Sequence, residues 1–243
     1  MIFNLFKSKP TLKELIPKGF VDIHSHILPG IDDGAKNTEE SINLLNSMYE
    51  LGFSKVICTP HTYPGLYDNT NDSIKNSFSN LIEKAKINLE LDYASEYMID
   101  ESIFEKVEKN SILCIKEKYV LIEMSFLYEH PKIFDVIYKL RLNNYIPILA
   151  HPERYIYYEN SFEKFVKLKK LDCRFQLNLL SLTGYYGNSS LRISEKLIKN
   201  NLIDFFGSDI HNLNQIKFMN NNLKIERGLV NVVEQIFNNN NIF

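Results

Sequence analysis

The chain has 243 residues, a formal charge of −2 at pH 7 and 44% hydrophobic residues, enough for one large domain with a sizeable core. That charge argues against a protein drawn to nucleic acid or to a membrane surface by bulk electrostatics. No apolar run approaches the ~20 residues of a membrane helix, Met1–Pro10 is too short and too polar for a secretory signal, and Cys58, Cys114 and Cys173 form no CxxC pair, which speaks against a disulfide framework or zinc ribbon and for a reducing cytoplasm.

In chain order, apolar runs alternate with helical patterns, the signature of βα units and a parallel sheet. Strands are expected near 20–24, 54–58, 93–98, 119–124, 146–150, 174–178 and 203–207. Between the first two, Asn37 reads as an N-cap with Glu40 at the third helical position, Ile42, Leu45 and Met48 form a stripe, and Gly52 ends the helix. A second helix is predicted from about Asp72 to Leu89, with Ile74, Phe78, Leu81, Ile82 and Ala85 on one face, and Pro131 opens a third that carries Ile133, Phe134, Ile137 and Leu140 inward. Helices near 161–171, 189–200 and 223–237 complete the series. The pattern predicts one domain over 1–243: an N-terminal extension (1–19), a barrel (20–237) and a tail (238–243) whose Asn238–Asn241 run reads as a frayed helix end.

Strands such as Val120–Met124 and Ile146–Ala150 are apolar on both faces, as in a sheet covered by helices. An open doubly wound sheet would show the same runs. Chemistry-bearing residues at nearly every strand end favour an α/β barrel, whose strand ends converge on one rim.

Five of the six histidines fall in those end segments. His24-x-His26 puts two imidazoles on one side of an extended strand, and Asp209-x-His211 repeats the geometry with a carboxylate. His61 and His151 each adjoin a proline where a strand ends. Glu123 interrupts an apolar strand, and a carboxylate there is costly unless paired or metal-bound; Glu96 is read the same way. Asp32-Asp33-Gly34 fits a turn as well as a ligand. Arg154, three residues past His151, offers a planar fork suited to phosphate, with a surface salt bridge as the alternative. Tyr155, Tyr185 and Tyr186 either line a mouth for an aromatic substrate or cover the rim. There is no Gly-x-Ser-x-Gly, and Cys58 lacks a C-x5-R phosphatase loop.

Taken together, Asp22-Ile-His-Ser-His-Ile-Leu-Pro-Gly-Ile-Asp-Asp-Gly34, Cys58-Thr-Pro-His61, Leu121-Ile-Glu-Met124, Ala150-His-Pro-Glu-Arg-Tyr155 and Gly207-Ser-Asp-Ile-His-Asn212 resemble the polymerase-and-histidinol-phosphatase (PHP) superfamily. Within it the resemblance is to the bacterial manganese-dependent protein-tyrosine phosphatases of the CpsB/CapC type, associated with capsule and exopolysaccharide synthesis. It implies a distorted (β/α)7 barrel with a trinuclear metal centre at the C-terminal rim. The ligands it implies are His24, His26, Asp33, His61, Glu96, Glu123, His151, Asp209 and His211, with Asp100 or Glu101 as alternatives to Glu96. Arg154 matches the family's phosphate-contacting arginine, and Arg154, Asp209 and His211 are the expected catalytic residues. Ile216 and Lys217 stand where some members carry an arginine beyond Asp209-x-His211, and Thr62 and Tyr63 after His61 are a second departure.

Manganese is the implied metal, with iron or zinc suited to the same donors, and the implied partner is an autophosphorylated bacterial tyrosine kinase with a tyrosine-rich tail. Two other functions share these motifs. One is a PHP phosphatase of a small phosphomonoester such as histidinol phosphate, and the other is a catalytically silent PHP binding module.

Overall fold

The structure, a computed structural model, describes residues 8–243. Its elements in chain order are α1 (Leu12–Leu15), β1 (Phe20–Asp22), α2 (Thr38–Glu50), β2 (Phe53–Cys58), β3 (His61–Thr62), α3 (Asn71–Lys84), β4 (Glu90–Tyr93), β5 (Glu96–Met98), α4 (Ser102–Glu108) and β6 (Tyr119–Glu123). They continue with α5 (Ile133–Leu142), β7 (Ile146–Ala150), α6 (Glu163–Lys170), β8 (Arg174–Asn178), α7 (Asn188–Lys199), β9 (Phe205–Gly207), α8 (Leu213–Phe218) and α9 (Val230–Phe237).

Every ladder is parallel, and β1-β2-β4 and β3-β5-β6-β7-β8-β9 form two sheets. The break between them falls at Thr59-Pro60 and Ala94-Ser95, where Pro60 has no N–H to give a ladder. Single bonds carry the pairing across it: Ala94 N donates to Cys58 O at 2.9 Å and Glu96 N to Pro60 O at 3.1 Å. Thus β2 with β3, and β4 with β5, are interrupted staves. A parallel bridge between Ser25 and Ile210, with His26 N donating to Ile210 O at 2.9 Å, joins β9 back to β1. The pairings complete a circuit of seven staves with helices outside, the distorted (β/α)7 barrel implied by the sequence.

Two layers of side chains follow from this. An inner cluster takes Ile23, Ile57, Ala94, Leu121, Ile148, Ala150 and Phe205 from staves around the ring, with Val21, Tyr119 and Phe243 against it. A larger cluster fills the space between sheet and helices, including Leu44, Leu45 and Met48 of α2 and Val136, Ile137 and Leu140 of α5. Asn37 caps α2 as expected by accepting from Glu40 N at 3.0 Å, but the Glu40 carboxylate accepts from Lys36 N instead of closing the box on Asn37.

Several expected boundaries are corrected. The strand at 93–98 is two segments, and α3 stops at Lys84 because Ala85 is extended, leaving Leu89 to lead into β4. Ile82 lies off the buried face of α3, 45% exposed. Residues 223–226 are not helical: Leu223 N donates to Pro10 O and Lys224 N to Leu182 O, with Leu223 and Ile225 buried and Lys224 exposed, a period of two that helical counting misread. Of the N-terminal extension, residues 1–7 lie outside the described residues, whereas Leu12, Leu15 and Ile16 belong to the outer core. The tail is not frayed. Residues 238–242 form a 3-10 turn, and the Asn240 side chain is fully buried, accepting from Phe206 N and donating to Val21 O and Phe206 O.

Candidate metal centre

All nine residues implied as ligands come together at the C-terminal rim. His24 and His26 follow β1, Asp33 sits in the loop after them, His61 opens β3, Glu96 opens β5, Glu123 ends β6, His151 follows β7, and Asp209 and His211 follow β9. Two of them sit in left-handed backbone, His151 at φ 34° and Asp209 at φ 52°. A non-glycine residue there is strained, and the turn swings each side chain from the strand end back over the barrel mouth. Gly34 is required for a different reason: a Cβ on it would lie 1.9 Å from His26 O.

The donor atoms form overlapping groups. His24 Nε2 lies 3.2 Å from Glu96 Oε2 and 3.4 Å from Asp209 Oδ1, and His26 Nε2 is 3.4 Å from the same two oxygens. His61 Nδ1 is 2.9 Å from Glu123 Oε1 and 3.1 Å from Glu96 Oε2, while its Nε2 is 3.4 Å from Asp33 Oδ1. His211 Nε2 is 3.5 Å from Asp33 Oδ1, and His151 Nε2 is 3.1 Å from Glu96 Oε1. Four sets of three or four such residues have donor atoms within 4.8 Å of one another: His26, Asp33, His61 and His211; His24, His151 and Asp209; His24, His26 and Glu96; and His61, Glu96 and Glu123.

These distances fit a shared cation. Two ligand atoms each about 2.1 Å from one ion, at tetrahedral to octahedral angles, stand ~3.0–3.4 Å apart. His61 Nδ1, Glu96 Oε2 and Glu123 Oε1 are buried and have no hydrogen-bond partner despite lying so close. Atoms this close that make no hydrogen bond with one another are spaced as ligands of one ion would be, and buried polar atoms are rarely left without a partner.

Outer contacts fix the ring nitrogens. Nδ1 of His24 donates to Gln176 Oε1 at 2.7 Å, Nδ1 of His26 to Asp32 Oδ2 at 2.8 Å, and Nδ1 of His211 to Asp209 O at 2.9 Å, which leaves each Nε2 lone pair facing inward. Gln176 Nε2 donates to Asn178 Oδ1 at 2.9 Å, and Asn178 Nδ2 to Asp209 Oδ2 at 2.6 Å, linking His24 to Asp209 through β8. Sequence reasoning missed Gln176 and Asn178. The signal was there, because two amides at period two in the otherwise apolar β8 pose the same question as Glu123 in β6. Asp32 supplies the turn, accepting from Gly34 N at 2.9 Å, as well as the His26 contact. Glu101 pairs with Lys132 at the surface and Asp100 accepts from Ser102, so neither reaches the cluster. His130 stands apart, accepting from Lys132 N.

The electrostatics are those of a crowded cluster of imidazoles and carboxylates that shift one another. Burial works against charge on His24, but Glu96 and Asp209 outweigh it and raise the imidazole to about 9. Burial and His26 oppose charge on His61, and Glu96 and Glu123 carry it up to about 10. Burial likewise opposes ionisation of Glu96 and Asp209, yet the surrounding histidines hold both carboxyls well below their usual range. With the five imidazoles neutral, the four carboxylates leave a charge of −4, which two divalent cations neutralise. Cys58 is fully buried, and burial pushes its thiol far up, out of reach as a nucleophile.

Above the cluster lies a cavity of about 390 Å³ lined by Glu123, His151, Asp209, His211, Phe126, Arg154, Tyr185 and Tyr186 among others. Arg154 reaches it from the turn after His151, and among the described residues no carboxylate forms an ion pair with it, contrary to the surface salt-bridge alternative. Tyr155 does not line the mouth. It is fully buried, its hydroxyl donating to Ala150 O and accepting from Met124 N. A second depression, sharing Asp33, His211 and Asn212 with the cavity, runs on past Lys36 and Asn214.

Known proteins resemble this chain in fold and in overall sequence. A solved structure of the metal-dependent tyrosine phosphatases YwqE from Bacillus subtilis and CpsB from Streptococcus pneumoniae superposes with a TM-score of 0.74 at 29% identity, covering 88% of this chain and 86% of that one. Histidinol phosphate phosphatase from Lactococcus lactis matches at a TM-score of 0.56 and 13% identity over 88% of this chain and 94% of its own, a likeness of fold alone. In sequence, the chain is 33% identical to the putative tyrosine-protein phosphatase CapC of Staphylococcus aureus (89% of this chain, 86% of the relative) and 31% identical to tyrosine-protein phosphatase YwqE of Bacillus subtilis (82% and 80%). The family model for capsular polysaccharide synthesis, CpsB/CapC, matches residues 20–240, from the first stave to the turn that holds Asn240, and the chain belongs to that family.

Proposed function

We propose that the protein is a metal-dependent protein-tyrosine phosphatase, with His24, His26, Asp33, His61, Glu96, Glu123, His151, Asp209 and His211 as metal ligands and Arg154 as the phosphate contact. The observation that carries this reading is the set of buried, unpartnered donor atoms on His61, Glu96 and Glu123 beneath a cavity that also receives Arg154. Divalent cations held there supply Lewis acidity toward a phosphoryl group and acidify a water. The chain's own part is to hold the Nε2 lone pairs inward through Gln176, Asp32 and the Asp209 carbonyl, to offer the Arg154 N–H edge to phosphoryl oxygens, and to flank an aryl group with Tyr185. The wholly buried Cys58 fits hydrolysis without a thiol intermediate.

Manganese is the metal we assign, because imidazole and carboxylate donors without thiolate suit it; iron and zinc are the competitors. The substrate is a phosphotyrosine on an autophosphorylated bacterial tyrosine kinase, dephosphorylated in the cytoplasm by a single-domain enzyme. A polypeptide substrate is favoured by the second depression, which gives residues beside the phosphotyrosine somewhere to lie. Among the described residues no helix is long and apolar enough to cross a membrane.

The test is hydrolysis of p-nitrophenyl phosphate, a phosphotyrosyl peptide and histidinol phosphate by the purified protein, with manganese and after chelation. Metal-dependent turnover with the peptide preferred is the expected result. Preference for histidinol phosphate would replace the substrate, and inactivity on all three with metal bound would make the fold a silent binding module.

A further inference from the structure

Resting on the phosphatase reading, we propose that Phe126 and Tyr186 are positioning residues that clasp the Arg154 guanidinium between their rings, so that only its N–H edge is presented to the phosphate. Arg154 Cζ lies over the Phe126 ring at 4.3 Å from its centroid and over the Tyr186 ring at 4.1 Å. Both contacts are well inside the ~6 Å that defines a cation–π interaction. Among the described residues the two rings form no ring pair with each other, so they approach the cation from different sides. A guanidinium has no donors on its faces; all five N–H bonds lie in its plane. Two ring faces within 4.3 Å of Cζ restrain the swing of a long side chain without supplying an oxygen acceptor that would use up its donors, a restraint that an ammonium group could not use in the same way.

The clasp is built from three separate connections: Phe126 follows β6, Arg154 follows β7, and Tyr186 precedes α7. Each ring is braced on the metal centre. Phe126 packs on the His151 ring at 5.3 Å and stacks with Tyr155 at 6.3 Å. Tyr186 has its hydroxyl 3.5 Å from Asn178 Nδ2, the amide that also donates to Asp209, and Tyr185 packs edge-on against it at 4.9 Å. Phosphate contact and metal ligands are thereby held on one frame, which is what preorganised stabilisation of developing charge requires.

The first measurement is nitrogen NMR relaxation of the Arg154 Nε–H group in the metal-free protein, which reads the clasp without reference to activity. An order parameter near the rigid limit of about 0.85 is expected in the wild type, falling below about 0.6 in Tyr186→Leu. The second is turnover of p-nitrophenyl phosphate with manganese. Phe126→Leu and Tyr186→Leu each lower kcat/KM by roughly tenfold to hundredfold, short of the loss from removing a charged donor outright, with metal content and melting temperature retained, and Tyr186→Phe recovers most of the loss. In Arg154→Ala, added guanidinium recovers part of the activity, and in Arg154→Ala/Tyr186→Leu it does not. A mobile Arg154 Nε–H in the wild type, or equal guanidinium rescue with and without Tyr186, overturns the clasp. A rigid Arg154 in a protein that hydrolyses no aryl phosphate leaves the clasp standing and overturns the phosphatase reading.

Discussion

Asp209 and His24 meet twice. The Asp209 N–H donates to the His24 carbonyl at 2.8 Å, and Oδ1 of the same aspartate stands 3.4 Å from Nε2 of the same histidine. The backbone contact belongs to the seam that joins the last stave to the first, and the side-chain contact belongs to the proposed metal centre. Barrel closure and assembly of the centre are therefore coupled through one pair of residues.

Metal removal should loosen that seam. A ligand present at ~100 times its Kd stabilises the state that binds it by about 2.7 kcal/mol, and about 2–4 °C of melting temperature accompanies each kcal/mol in a chain of this size. Calorimetric scans with and without manganese should differ by roughly 5–10 °C, with activity lost on chelation and regained on metal return. Identical scans would break the link between centre and closure.

The same centre makes metal binding pH-dependent. In the metal-free protein His24 and His61 are raised to about 9 and about 10, so at pH 7 both carry protons that a cation must displace. Affinity should rise with pH through 7 to 9. The sign for folding is the reverse: a raised folded-state pKa gives stability fully present below the unfolded value of about 6.5 and lost as pH climbs through 9 to 10. Titration calorimetry of manganese in two buffers of different ionisation enthalpy measures the protons released, and release of none at pH 7 would contradict the charged cluster.

Gln176→Leu tests the amide relay on β8. The variant keeps the shape but removes the acceptor for His24 Nδ1 and leaves Asn178 Oδ1 without its donor. A lost outer contact to a liganding histidine costs about 10- to 100-fold in metal affinity, while the unpaired amide costs about 1–3 kcal/mol of stability. Metal titration against a chelator of known affinity would show the shift; unchanged affinity would mean that packing alone orients His24.

Arg154→Ala should lower turnover of a phosphotyrosyl peptide by about 10²–10³, the usual cost of a lost donor to developing charge. Arg154→Lys should recover only part, since a point charge does not reproduce the fork. Metal content should stay at the wild-type level in both. Normal turnover by the alanine variant would remove Arg154 from the phosphate site.

Most of the barrel could be read from the chain because its staves are short apolar runs with polar breaks, and most of the cluster because its histidines and carboxylates sit where those runs end. What escaped depended on three-dimensional closure. The seam between Ser25 and Ile210 is a single bridge with no periodicity of its own. Proline at position 60 marked a strand end correctly, but nothing local showed that pairing resumes at His61 and Glu96. Phe126 reads as an exposed loop aromatic until Arg154 is placed on its face.

The Asn-rich tail is the sharpest case of context overriding composition. Asn240 is wholly buried in a run of four asparagines, and its amide serves three backbone groups at the end of the barrel away from the centre: it accepts from Phe206 N at 3.1 Å and donates to Val21 O at 2.9 Å and Phe206 O at 2.7 Å. Alanine would leave those groups buried and unpaired, at about 1–3 kcal/mol for each that water cannot reach. Val21 and Phe206 belong to the first and last staves, so the loss falls on the seam from the side opposite Asp209. Asn240→Ala should therefore lower the melting temperature by several degrees in both metal-free and metal-loaded protein, while turnover per folded molecule stays near wild type because no ligand contact changes. Asn239→Ala, one residue away and exposed, makes a single bond to Asp204 O and should cost far less. Equal melting temperatures for the two variants would mean that the tail packs without closing the barrel.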